Sequence, residues 1–123
     1  PKPKPIFMKT YSFEKLNAWQ ESRHLVKSIY NTTQFFPKEE LYGLVSQIKR
    51  SAISVASNVA EGSGRKTVAD QSHFYRMSYS SLMEVLNQII LAKDLEYITE
   101  EQLIKIRKQI DKTAKLIAGL VKN

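Results

Sequence analysis

The sequence predicts an all-α fold, an antiparallel up-down-up-down four-helix bundle. Three observations carry this. Apolar residues recur at steps of three and four through four segments, each with its own cap or breaker. No segment alternates with the period of two that a half-buried strand needs. The segments run to about 22–25 residues with short connections, so each spans about 35 Å and its neighbour must turn back beside it.

The first segment runs from about Phe13 to Phe35. Leu16, Trp19, Val26, Tyr30 and Thr33 lie on one side, and Leu25 and Ile29 widen it. Pro37 blocks continuation, having no N–H to give. The second runs from about Lys38 to Glu61, with Glu39 and Glu40 in the first turn, where the helix dipole favours anions. Leu41, Leu44, Val45, Ile48, Ala52, Val55 and Val59 form its apolar face. Gly62 and Gly64 are expected to end it as left-handed caps, opening a loop over 62–69.

The third segment begins at Thr67 or Asp70, which have capping spacing, and reaches Asp94. Phe74, Ser78, Ser81, Leu82, Val85, Ile89 and Ala92 make one seam. Tyr75, Tyr79, Leu86 and Ile90 make a second, about 100° around the helix. So wide an apolar arc fits either a central helix with two neighbours in the monomer or a contact with another subunit. The fourth runs from Thr99 to about Lys122 and opens on the capping box Thr99-Glu100-Glu101-Gln102. Leu103, Ile106, Ile110, Ala114, Ile117 and Val121 supply its apolar face, and Lys105, Lys108, Lys112, Lys115 and Lys122 line the far side.

A chain of 123 residues suits one domain, here 11–123, behind a basic tail. The tail, residues 1–10, starts Pro1-Lys2-Pro3-Lys4-Pro5, which cannot form a helix and is expected to be disordered or extended. Met8 is a candidate initiator, with the residues before it then an extension. There are no cysteines, which excludes disulfides and thiolate metal sites and fits a reducing cytoplasm. No apolar run approaches the roughly 20 residues that span a bilayer, so no membrane partner is expected.

The net charge is +7, and removing Lys2 and Lys4 lowers it by two, to +5. A basic domain attracts phosphate polyanions, so RNA or DNA is a candidate partner. The candidate contacts are Lys105, Lys108, Lys112, Lys115 and Lys122, with Arg65 and Lys66 in the loop. The competing reading makes the lysine stripe a solvated face.

Chemistry is sparse. His24 and His73 are the only histidines, and Glu21-x-x-His24 stands alone where a di-metal bundle needs two such pairs. Gly62-Ser63-Gly64-Arg65-Lys66 precedes a helix as an anion loop does, but no strand leads into it, so a capped basic turn is the expectation. No catalytic residue, metal or cofactor is expected. A toxin-type ribonuclease, whose Arg and His stand four to six residues apart, is disfavoured because Arg65 and His73 are eight apart.

A polar stripe remains on the second helix: Gln47, Arg50, Ser54, Asn58 and Glu61, ending at Gly62. A charge in a packed seam needs a partner. Arg50 is therefore expected to meet Glu84 or Glu61, within the bundle or between subunits, with a phosphate as the competing partner. Asn58 is expected to cap or cross-link backbone near the glycine turn.

These residues together resemble the 23S rRNA intervening-sequence protein family. The resemblance covers about residues 11–121 and rests on Phe13-x-x-Leu16-x-x-Trp19, Phe36-Pro37, Glu40-x-Tyr42-Gly43-Leu44 and Gln47-Ile48-x-Arg50-Ser51-Ala52-x-Ser54-Val55. Asn58-Val59-Ala60-Glu61-Gly62-x-Gly64-Arg65, with Phe74, Ser81 and Glu84, completes it; Tyr79 and Ser80 depart from the small residues typical there. The resemblance implies a cytoplasmic bacterial protein that forms ring-like homopentamers and has no established catalytic residues. A related branch serves retroelements as an accessory protein that binds nucleic acid and a reverse transcriptase. The function expected is thus a non-enzymatic homo-oligomer that binds RNA. The alternatives are a scaffold for a partner enzyme without nucleic-acid contact, and a helical ribonuclease. Gln47, Arg50, Ser54, Asn58, Glu61, Gly62 and Glu84 are read as packing or assembly residues, and Tyr75, Tyr79, Leu86 and Ile90 as a candidate subunit contact.

Overall fold

The computed structural model describes Pro5 and residues 7–122. Part of the expected disordered tail, residues 1–4 and 6, lies outside the described residues. Among the described residues there are four α-helices and no strand: α1 (Asn17–Thr33), α2 (Leu44–Ser63), α3 (Val68–Asp94) and α4 (Glu100–Leu120). Each of α1–α2, α2–α3, α3–α4 and α1–α4 is in contact, so the helices close a ring around a shared core. Leu25, Ile29, Ile48, Val55, Val59, Leu82, Ile89, Ile110 and Ile117 are buried there, drawn from all four helices at the predicted period.

Two predicted starts are corrected. The first segment is not one helix from Phe13. A 3₁₀ turn at Ser12–Lys15 is followed by Leu16 in an extended conformation, and only then by α1. Side chains compete for the backbone here. Glu14 accepts the Tyr11 N–H at 2.8 Å, and Gln20 Nε2 donates to the Glu14 carbonyl at 2.8 Å. The helix also stops at Thr33, short of Phe35, which is exposed. Phe36 turns inward against the Tyr97 ring at 5.3 Å.

The second segment likewise opens as a 3₁₀ turn, Lys38–Glu40, and α2 starts only after Gly43, whose backbone (φ −110°, ψ −111°) lies outside the helical region. Leu41 is consequently exposed rather than part of the apolar face. Glu40 Oε1 accepts the Leu44 N–H at 3.2 Å, so this carboxylate serves the first turn of α2 as the missing cap.

Gly62 and Gly64 are not left-handed caps, because no described glycine has positive φ. Gly62 is buried inside α2. A Cβ there would stand 2.8 Å from Tyr75 Cε1 and 3.0 Å from Phe74 Cβ, so glycine lets α3 approach. The left-handed residue lies elsewhere. Glu96 (φ 64°) follows α3, with Tyr97 N–H bonded to the Ala92 carbonyl and Glu96 N–H to that of Lys93. This is a Schellman closure made without glycine. The starts of α3 and α4 agree with the sequence: Thr67 accepts the Asp70 N–H, and Thr99 and Gln102 exchange both bonds of a capping box.

Among the described residues, side-chain hydrogen bonds join α2 to α3. Ser51 Oγ donates to Glu84 Oε2 at 3.3 Å, Ser54 and Ser81 hydroxyls lie 2.8 Å apart, and Ser78 Oγ donates to the Val55 carbonyl at 2.7 Å. Positions descend on α3 as they ascend on α2. At the far end Ser72 Oγ donates to the Lys122 carbonyl and accepts the Lys122 N–H, each at 2.9 Å, which ties the start of α3 to the chain after α4.

Candidate nucleic-acid interface

The basic face is built by α4. Burial of Leu103, Ile106, Ile110, Thr113 and Ile117 fixes its roll in the core. Lys105, Lys108, Lys112 and Lys115 are thereby turned to solvent, with Lys122 exposed just past the helix. Among the described residues, the side chains of Lys105, Lys108, Lys115 and Lys122 make no ion pair, whereas Lys112 Nζ lies 2.8 Å from Glu21 Oε1 on α1. Lys112 therefore departs from the free stripe, its charge already matched across the α1–α4 contact.

The loop contributes less than its two charges suggest. Arg65 reaches Glu61 Oε1 at 3.3 Å and Asp70 Oδ2 at 4.0 Å, and its guanidinium lies 4.5 Å from the centre of the Phe74 ring. Gln71 Nε2 donates to the Arg65 carbonyl at 2.9 Å. Arg65 braces the α2–α3 turn, which leaves Lys66 as the loop's exposed cation without a partner among the described residues.

The polar stripe of α2 divides. Asn58 Nδ2 donates to the Ser54 carbonyl at 2.9 Å and to Ser54 Oγ at 3.0 Å. It cross-links one turn back rather than at the glycine turn. The expected pairing of Arg50 within the bundle is not made. Among the described residues Arg50 makes no ion pair with Glu84 or with Glu61. Glu61 is about 16 Å further along α2 at 1.5 Å per residue, and it is held by Arg65. Glu84 receives the Ser51 hydroxyl instead.

Arg50 and Glu84, with Gln47, Ser51, Ser54 and Ser81, line an open groove of about 440 Å³ between α2 and α3. Gln88 also lines it, and its Oε1 is fully buried with no hydrogen-bond partner among the described residues. Tyr42, at 92% exposure, stands at the rim. Sequence reasoning missed Gln88, and it met Tyr42 only in the Glu40-x-Tyr42-Gly43-Leu44 motif, with no site role. Gln88 falls on the buried side of α3 beside Ile89, and only its polarity there was a signal.

The second seam of α3 is largely consumed within the chain. Tyr75 is buried against Gly62, and burial pushes its hydroxyl pKa up. Leu86 and Ile90 are half-buried against the core, while Tyr79 remains 38% exposed. A second apolar groove, between α1 and α2, is lined by Trp19, Val26, Ile53 and Ala56.

A polar latch at the opposite end was also unseen in the sequence. Tyr97 Oη donates to Glu40 Oε2 at 2.7 Å. That bond, then the Leu44 N–H, holds the Glu40 carboxyl below its usual range, and the same bond raises the Tyr97 phenol. Among the described residues no group of three His, Cys, Asp or Glu is placed to hold a metal, and no helix is long and apolar enough to cross a membrane. His24 and His73 are exposed, His73 lying edge-on to Phe74 at 5.4 Å between ring centres.

The family model described as 23S rRNA-intervening sequence protein matches residues 14–119. No curated protein matches the chain. Among solved structures, the chain is similar to a protein of unknown function from the S23 ribosomal protein family of Bacteroides thetaiotaomicron. Identity is 23%, the match covers 86% of this chain and 99% of that one, and the TM-score is 0.79.

Proposed function

Because the chain belongs to the 23S rRNA-intervening sequence protein family, we propose that it is a non-enzymatic, cytoplasmic homo-oligomer that binds RNA on the outer face of α4. Its four helices are arranged up-down-up-down, which the opposed order of the α2–α3 bonds and the Ser72–Lys122 clip support. The observation that carries the binding reading is the set Lys105, Lys108 and Lys115: exposed, on one side of one helix, and without a carboxylate partner among the described residues. Unpaired lysines at helical spacing can each displace a counterion from a phosphate. Lys122 and Lys66 extend the field, and self-association multiplies it, with five copies the number the family resemblance suggests.

The test is the salt dependence of binding to a structured RNA. Changing Lys105, Lys108 and Lys115 to Gln should flatten the slope of log K against log salt by about two to three. The thermal melt should not move, since none of the three is buried. An unchanged slope would make the stripe a solvated face. A second reading, a scaffold for a partner enzyme, is favoured by the exposed apolar groove around Trp19 and Ile53. Partner binding that persists at high salt selects it.

A further inference from the structure

We propose that the groove between α2 and α3 is a base-reading site that takes an unpaired guanine of a bound RNA; this rests on the RNA reading above. The groove, about 440 Å³, falls in the range of small-ligand sites. Its serine hydroxyls bond within the helix pair, but its longer polar groups keep bonding capacity. Arg50 makes no hydrogen bond or ion pair among the described residues. Glu84 accepts one long bond, from Ser51 at 3.3 Å. Gln88 is 8% exposed, and its buried Oε1 has no donor. An orphaned buried carbonyl costs free energy, so the free protein carries a penalty at the wall of the groove.

The charge pattern selects the ligand class. A phosphate on Arg50 would face the Glu84 carboxylate, and a cation on Glu84 would face the Arg50 guanidinium. A neutral plane with donors on one edge and acceptors on the next uses both. Guanine has that arrangement: N1–H and the N2 amine side by side for a carboxylate, and O6 with N7 for a guanidinium fork. Adenine, cytosine and uracil each lack the paired N–H donors. The exposed Tyr42 ring at the rim offers the stacking face by which single-stranded RNA is held.

Fluorescence anisotropy with a uridine-only oligonucleotide, and with the same oligonucleotide carrying one central guanosine, inosine or adenosine, tests this. The guanosine oligonucleotide should bind about tenfold tighter than the others, a value in the range of one good bidentate contact. Inosine, lacking the N2 amine, should lose most of the gain. Glu84→Gln and Arg50→Lys should each abolish the preference while leaving uridine-only binding within about twofold, since both side chains are exposed and the lysine keeps the charge. Equal affinity for guanosine and adenosine overturns the base site, and salt-sensitive binding of all four leaves the RNA reading standing. No binding to any oligonucleotide overturns both. A change in the protein's mass in solution on Glu84→Gln would make the groove a seam between copies and overturn the proposal.

Discussion

The seam between α2 and α3 differs at its two ends. Around Gly62 it is closed: the Tyr75 ring rests where a Cβ would be, and Ser78 bonds across to the Val55 carbonyl at 2.7 Å. Around Arg50 and Glu84 it is open, and a buried amide oxygen finds no donor. Both ends carry small or polar residues at the same helical period, so their patterns look alike in the sequence. Size separates them. At the closed end the small residues serve close approach, and the Ser78 hydroxyl is spent across the pair. At the open end serine hydroxyls still bond across, but Arg50 and the Gln88 amide oxygen keep unspent bonding capacity among the described residues.

The largest expected effect comes from breaking the closed end. Gly62→Val puts a Cβ 2.8 Å from Tyr75 Cε1 and 3.0 Å from Phe74 Cβ, closer than side chains pack. Overpacking of this kind costs about 3 kcal/mol, read as a lower urea midpoint. Gly119, on α4, has nothing within 4 Å of an added Cβ, and Gly119→Ala should instead stabilise by about 0.5–1 kcal/mol. If the two substitutions behave alike, the packing role of Gly62 is wrong.

At the open end the sign should reverse. Gln88→Leu removes the orphaned acceptor and should stabilise the free protein by about 1–2 kcal/mol in the same urea experiment. A loss of stability would mean that the Gln88 amide is already satisfied.

The smallest effect belongs to the Tyr97–Glu40 latch, away from the seam. Because Glu40 has a lowered folded pKa, its contribution is present above the ordinary glutamate value and is lost as pH falls through the folded value. Tyr97 has a raised folded pKa, so its contribution holds below the ordinary tyrosine value and fades as pH rises through the folded one. Tyr97→Phe should lower the melting temperature slightly at neutral pH and flatten the profile at both extremes.

These contrasts show what was legible in the residues. The four helices and most of the core follow from apolar period. The starts of α3 and α4 follow from Thr67 and Thr99, since a cap is a local bond between residues three apart. The start of α1 was misplaced because Glu14 and Gln20 take backbone groups that a continuous helix would use. Gly62 was misread because a glycine that ends a helix and one that admits a neighbour are the same letter; only the ring of Tyr75 tells them apart. The lysine face was legible as a stripe, but the Lys112–Glu21 pair joins two helices and has no local signature. Arg50 was expected to meet a carboxylate within the bundle or between subunits; within the chain the seam is open there, and among the described residues it reaches none.

Light scattering of the protein, alone and with a structured RNA at low and at high salt, tests the central claim most directly. The expected result is a single oligomer, with added RNA mass at low salt that is lost at high salt. A monomer, or an oligomer whose mass ignores RNA at low salt, would contradict it.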